Sequence, residues 1–219
     1  MLAHHEEKLV KIRENISSLV KSIEQSSNNL LLGLETKDKN HFVEARTNLK
    51  NIEKNSNLID NEIITSLALF GAEAADLREL IAYLKITNEF VRIADNIKGF
   101  AKNIVNHIND ENFSMYKDNA IQLCKTTTNS IIYASFGLKK EQNIEDIYTK
   151  IKVEESKNDD LYSILEKNIL SIIREDFDFS ANYIQILSTM RKLEKIADRS
   201  VAVVKIMLFA RSGGKLMMY

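Results

Sequence analysis

The chain contains no proline in 219 residues and only six glycines. Proline removes a helix hydrogen bond and clashes with the preceding turn, so its absence permits very long helices. β-Sandwiches and barrels depend on aromatic strands and frequent turns, whereas aromatic residues make up only 7% of this chain. The sequence therefore predicts an all-α fold.

The composition limits the classes of function and the compartment. Apolar residues make up 44% of the chain, enough for a core, and 30 basic against 31 acidic residues leave no basic excess for a nucleic-acid partner. A lone cysteine, Cys124, cannot form an internal disulfide. The first ten residues lack the apolar stretch of a signal peptide, and no window resembles a membrane span. We therefore expect a cytoplasmic protein.

Apolar residues recur alternately three and four positions apart, as they do in helical bundles. Six such runs are separated by short polar or glycine-containing breaks, and they lie at 9–34, 42–70, 77–108, 113–138, 144–172 and 184–208. Short connections make successive helices antiparallel neighbours. We expect the apolar seams to be buried, among them Leu49, Ile52, Leu84, Leu161, Leu187 and Val201.

A sequence pattern repeats at half the chain length. The segment V-R-I-A-D at 91–95 returns as E-K-I-A-D at 194–198, and two upstream apolar positions, Ile81 and Leu84, match at the same offset. In the middle helix of each half, Asp60 matches Asp160. These matches predict two tandem three-helix bundles related by an internal repeat. We place the boundary in a tight turn, with domains at 1–109 and 110–219.

Four acidic residues of the second half interrupt the apolar pattern. Glu155 and Asp159 share one helix face, and Glu194 and Asp198 share another, since residues four apart lie on the same side of a helix. Burying such charges is costly unless they are paired or bind a metal. Two interpretations remain open. Either the acids lie at a bundle edge or beside nearby cations, or they form a carboxylate site for magnesium, iron or zinc. The cations in question are Arg191, Lys192, Lys195 and Arg199.

Motifs of catalysis are missing from the sequence. It has no P-loop, no nucleophile elbow and no cysteine–histidine constellation, and it lacks the Glu-x-x-His pairs of di-iron bundles. We therefore expect a protein that is not an enzyme.

Two segments resemble the signatures of a known family. Residues 74–95 read AADLRELIAYLKITNEFVRIAD, and residues 190–202 read MRKLEKIADRSVA. Together with the repeat and the length, they resemble the PhoU family of phosphate-transport regulators. The resemblance implies a negative regulator of phosphate uptake and of the phosphate-starvation response. Its implied partners are the ATPase subunit of a phosphate transporter and a sensor histidine kinase, which would hold it at the membrane periphery. A homodimer is compatible with its helical faces.

The resemblance also implies site residues. PhoU relatives can carry metals on acidic motifs of neighbouring helices, which correspond here to Glu155, Asp159, Glu194 and Asp198. The first half keeps Asp60 and Asp95, but Ser56 and Val91 stand four positions before them, so any first-half site is weaker. A D-L-R segment makes Asp76 and Arg78 candidates for partner binding; for Arg78 an internal ion pair with Asp76 or Glu79 is the alternative. A metal-binding or metal-storage bundle and a simple helical scaffold are the competing functions.

Overall fold

A computed structural model describes residues 2–70, 74–175 and 180–213 of the chain. Every regular element in these ranges is helical. The α-helices are α1 (Leu2–Thr36), α2 (Lys39–Asn48), α3 (Ile52–Phe70), α4 (Ala74–Ile104), α5 (Lys117–Leu138), α6 (Ile144–Glu175) and α7 (Ser180–Ser212), and a short 3-10 helix spans Glu111–Met115. The expected all-α fold of six long antiparallel helices is confirmed, with α2 and α3 as two parts of one bent helix.

The bend between α2 and α3 was not expected. Around it, the backbone N–H groups of Leu49, Lys50 and Ile52 donate to carbonyls three residues earlier, at 3.1 to 3.3 Å. Such tight 3-10 bonding narrows the helix locally and changes its direction without proline or glycine. Leu49 and Ile52 still reach the core, as predicted.

α1 ends at Thr36, two residues beyond the apolar run that predicts it. Gly33 falls inside α1, where it faces α2: a Cβ atom at this position would lie 2.6 Å from the Phe42 ring. Lys37 makes the turn with a positive φ of 59°, and Asp38 caps α2 by accepting from the Asn40 N–H at 2.9 Å. Gly33 therefore permits close packing of two helices and ends neither of them.

The helices form two bundles, α1–α4 and α5–α7, that share one hydrophobic core. The central layer consists of α1, α4, α5 and α7, in which α4 packs against α7 and α1 against α5. The bent helix α2–α3 lies outside on the first bundle, and α6 lies outside on the second. Two contacts, Glu89 with Arg199 and Gly99 with Lys192, show that α4 and α7 run antiparallel.

The internal repeat is visible in the burial of the side chains. From residue 83 to residue 97, each residue has the same degree of burial as the residue 103 positions later. Leu84 and Leu187 are such a pair, and both are only partly buried at the margin of the core, as is Leu161. These three leucines were expected to be buried and are only partly buried, whereas Val201 is buried as expected. An apolar stripe on a helix is wider than the strip its neighbours cover, so residues at the margin keep some exposure.

Candidate carboxylate site and partner surface

The acidic residues of α6 and α7 converge at the outer edge of the second bundle. Asp159, Glu194 and Asp198 each offer a carboxylate oxygen, and these oxygens all lie within 4.8 Å of one another. Asp159 and Asp198 are exposed and Glu194 is half-buried, so the cluster opens to solvent. We call these three residues the acidic cluster.

Glu155, the fourth predicted ligand, lies beside the cluster but is engaged by a lysine. Its Oε2 accepts from the Lys152 ammonium at 2.5 Å. Its negative charge nevertheless helps to raise the pKa of Asp159 and of Asp198. The structure therefore brings three of the four predicted acids together and places the fourth within electrostatic reach.

Partial burial and mutual repulsion disfavour charge on the acidic cluster. Burial is the largest cause that raises the pKa of each of its three carboxyls. The next cause is a neighbouring carboxylate: Asp198 for Glu194, Asp159 for Asp198, and Glu155 for Asp159. Oxygens this close repel each other unless a cation or a proton lies between them.

The cations considered from the sequence are mostly directed elsewhere. Arg199 donates to Glu89 at 2.9 Å, Arg191 lies over the Tyr162 ring at 5.7 Å, and the side chain of Lys192 rests against Gly99. Oε2 of Glu194 is buried without a hydrogen-bond partner among the described residues. An orphaned buried acceptor in an all-oxygen donor set fits a hard divalent cation. Such an ion would be held by Asp159, Glu194 and Asp198.

A buried polar seam between α5 and α6 supports the acidic cluster from behind. The Asn158 amide, fully buried, donates to the hydroxyls of Thr126 and Thr127 at 2.8 and 3.0 Å and to the Leu123 carbonyl at 3.2 Å. The Asn158 Oδ1 is buried without a hydrogen-bond partner among the described residues, but the three contacts of the amide nitrogen fix the rotation of α6 against α5. Because Asp159 is the next residue, this seam determines where its carboxylate points.

The first bundle has a different arrangement at the equivalent edge. The buried residues 42, 45, 49, 52 and 56 correspond to 144, 147, 151, 154 and 158, an offset of 102. Glu155 and Asp159 therefore correspond to Glu53 and Asn57. The sequence analysis matched Asp60 with Asp160 and treated Ser56 as the ligand position four residues before Asp60. Both assignments are out of register with the structure. Asp60 instead accepts from the Thr87 hydroxyl at 2.7 Å.

A lysine neutralises the remaining acids of that edge. The Lys98 ammonium lies 2.8 Å from Asp95 and 3.6 Å from Glu53. In the second bundle, the residue that corresponds to Lys98 is Val201, which is buried. The first bundle thus has its own ammonium group where the second bundle has unpaired carboxylates.

The predicted partner residues lie at the start of α4. Arg78 lines a cleft with Lys140 and Arg211, and its Nε is buried without a hydrogen-bond partner in the described part of the chain. Glu79, one of the acids considered as its internal partner, is engaged by Arg13 at 2.8 Å and by Lys140 at 3.2 Å. Asp76 is half-buried. Partner binding by Asp76 and Arg78 stays a prediction.

Three kinds of comparison with known proteins agree on one family. A family model described as the PhoU domain matches residues 16–104, which end with α4. Proteins named phosphate-specific transport system accessory protein PhoU homolog align with most of this chain. The one from Xylella fastidiosa is 27% identical over 70% of this chain, and the one from Clostridium acetobutylicum is 26% identical over 71%. The chain is therefore similar to PhoU proteins, with a PhoU domain in its first half.

Crystal structures of PhoU proteins share the whole fold. The Streptococcus pneumoniae structure superposes with a TM-score of 0.84 and 20% identity, over 97% of this chain and 99% of its own. The Pseudomonas aeruginosa structure gives 0.77 and 16% over 95% of this chain and 99% of its own. The sequence alignments span 64% of the Xylella relative, just under two thirds of its length, and 70% of the Clostridium relative.

The PhoU resemblance stated from the sequence is therefore confirmed. No helix in the described ranges is long and apolar enough to cross a membrane. Residues that the sequence did not identify include Lys98, whose role depends on helix rotation, and the Glu89–Arg199 pair that joins the two bundles.

Proposed function

We propose that this chain is a PhoU protein, a non-catalytic cytoplasmic regulator of phosphate uptake and of phosphate-starvation signalling. The observation that carries the proposal is the PhoU domain at 16–104 within a fold that follows PhoU structures along nearly the whole chain. The named relatives are accessory proteins of a phosphate-specific transport system. The regulator acts by contact: it docks on the transporter's ATPase subunit and on a sensor histidine kinase, and restrains import and the starvation response.

The structure supports action by contact through its rigid helical faces. Long helices in one shared core provide wide surfaces, and several large apolar side chains remain exposed on them, among them Leu58, Ile64, Leu69, Val153 and Ile164. The cleft at Arg78 offers an arginine whose Nε lacks an internal partner in the described part of the chain. A guanidinium in that position can donate two parallel hydrogen bonds to a partner carboxylate.

The acidic cluster supports a second candidate function, binding of a metal ion. In this interpretation Asp159, Glu194 and Asp198 hold iron, zinc or magnesium, and the second bundle binds it in preference to the first. The ion would offset the repulsion among the carboxylates and fasten α6 to α7. Metal binding alone, without phosphate control, would make the chain a metal-binding or metal-storage bundle.

Affinity purification distinguishes the regulator from the storage bundle. The tagged chain is captured after cross-linking from phosphate-replete cells, and co-purifying proteins are identified by mass spectrometry. Recovery of a transporter ATPase and a histidine kinase, reduced by Arg78→Ala but not by Arg174→Ala, supports the regulator. Recovery of neither partner, with stoichiometric metal in the purified chain, supports the storage bundle instead.

A further inference from the structure

A basic groove lies between α2 and α4, on the outer side of the first bundle. Its walls are Arg46 and Lys50 from α2 and the turn after it, and Lys98 and Lys102 from α4, with Gly99 in its lining. Lys98 and Lys102 are four residues apart on α4, so they lie on one helix face with a separation of about 6 Å, while Arg46 and Lys50 lie on either side of the end of α2. The groove therefore presents positive charge on both walls.

A fifth cation reaches the groove from the other bundle. The side chain of Lys192, on α7, lies across Gly99: a Cβ atom at this glycine would be 3.1 Å from its Cε and 3.2 Å from its Nζ. A methyl group at position 99 would require the end of this side chain to shift by a few tenths of an ångström. The absence of a Cβ thus allows Lys192 to lie close against α4 beside the groove.

Most of these cations have no carboxylate to balance them. Lys98 is paired with Asp95 and Glu53, but Arg46, Lys50, Lys102 and Lys192 form no ion pair within 4.0 Å in the described part of the chain. The whole chain has a net charge of −1, so this concentration of positive charge is local. Unbalanced like charges repel one another, and an anionic ligand would relieve the repulsion.

We propose that this groove binds a short acidic helical segment of a partner protein. Carboxylates four residues apart on a helix have the same spacing as Lys98 and Lys102 on α4. Val43 forms an apolar part of the wall and is 56% exposed, a contact that suits an apolar side chain and not a bare phosphate chain. Glu53, which lies 3.6 Å from Lys98, is exposed, so a long polyanion that extended past it would be repelled.

The probe is a fluorescein-labelled helical peptide of about 15 residues with glutamates four apart and one leucine on the same face. Its binding to the full chain is measured by fluorescence anisotropy. A scrambled peptide of equal charge, in which the glutamates are spread around the helix, is the control ligand. We expect the patterned peptide to bind roughly tenfold more tightly than the scrambled one, and to weaken as salt is raised from about 50 to about 300 mM.

Two matched variants test the location. Lys50→Glu/Lys102→Glu reverses two groove charges, and Lys21→Glu/Lys205→Glu makes the same change in net charge away from the groove. We expect the first variant to bind the peptide at least roughly tenfold more weakly, and the second to bind it with little change. Circular dichroism spectra and melting temperatures of both variants verify that they are folded.

The proposal would be overturned by no binding of the patterned peptide or by equal loss in both variants. Displacement of the peptide by inorganic polyphosphate or a single-stranded oligonucleotide that itself binds more tightly would have the same consequence. Groove-dependent binding to vesicles of anionic lipid, without peptide binding, would also overturn it. The groove requires neither a phosphate transporter nor a metal ion, so these failures would leave the proposed function intact.

Discussion

Arg199 of α7 donates to Glu89 of α4 at 2.9 Å, and this ion pair joins the two bundles across the central layer. The Glu89 side chain is 13% exposed and that of Arg199 is 29% exposed, so removal of the arginine leaves a largely buried carboxylate without its main partner. Arg92, at 3.8 Å, replaces it poorly.

Arg199→Ala should therefore lower the free energy of unfolding by about 2 kcal/mol. Denaturation in urea measures it, and a double-mutant cycle with Glu89→Gln isolates the pair. Lys150→Ala is the control, since Lys150 pairs with Asp146 at 2.8 Å on an exposed surface, where solvent screens the pair, and its loss should change the stability little. Equal losses in the two variants would show that the cross-bundle pair is no more important than a surface one.

Gly33→Ala should destabilise the chain because the new methyl group would overlap the Phe42 ring, with 2.6 Å to its nearest atom. Overpacking of this kind costs about 1 to 3 kcal/mol. Gly137→Ala is the matched control, because its methyl group would make ordinary 3.5 Å contacts inside α5 and should be tolerated. Thermal melting of both variants provides the comparison. A Gly33→Ala protein as stable as the control would contradict the close packing of α1 on α2.

The acidic cluster should make the stability of the metal-free protein depend on pH. The pKa values of Glu194 and Asp198 are raised in the folded protein above their unfolded values. The folded state therefore binds protons more tightly, and its stability should rise as pH falls from about 7 to about 5 and decline as pH rises. Glu194→Gln/Asp198→Asn should be more stable than the wild type at neutral pH and should show a weaker dependence.

Metal addition provides the complementary measurement. In scanning calorimetry, added Mn²⁺ or Zn²⁺ should raise the melting temperature of the wild type and not of Asp198→Asn. Asp95→Asn, at the equivalent position of the first bundle, is the control and should keep the effect. Equal metal content in the wild type and Asp198→Asn would contradict a site at the acidic cluster.

Much of this fold follows from the spacing of apolar residues, but the rotation of each helix about its axis and the register between helices do not. The seams at Leu49, Ile52 and Val201 were predicted as buried and are buried. Leu84 and Leu161 lie at the margin of their stripes, which the sequence alone does not distinguish from the centre. The rotation of each helix about its axis decides whether a residue lies at the centre or at the margin of the buried stripe. This rotation, like the register between helices, depends on contacts between helices.

The site residues show the same limit. Spacing along one helix placed Glu194 and Asp198 on a common face, and the structure brings Asp159 to them. The match of Asp60 with Asp160 was wrong by two positions, since one short motif cannot fix the register of an outer helix. Lys98 lies one turn from Asp95 on α4, but only the packing of α4 on the bent helix brings it to Glu53, and its role was therefore missed.

Lys98 provides a test of the repeat itself. If the Lys98 ammonium takes the place that a metal ion would have in the second bundle, a second metal site should form when Lys98 is removed. The variant must also carry acids at the two positions that correspond to Asp159 and Glu194. Asn57→Asp/Val91→Glu/Lys98→Ala should bind one more metal ion per chain than the wild type by elemental analysis. Asn57→Asp/Val91→Glu with Lys98 retained is the control and should not. An unchanged metal content in the triple variant would contradict the role assigned to Lys98.

The central claim, that the chain restrains the phosphate-starvation response, is tested most directly by reporter expression from a starvation promoter in phosphate-replete medium. The strain that lacks the gene should express the reporter strongly, and wild-type protein supplied in trans should restore repression. Equal repression in the strains with and without the gene would contradict the regulator and favour the metal-binding bundle.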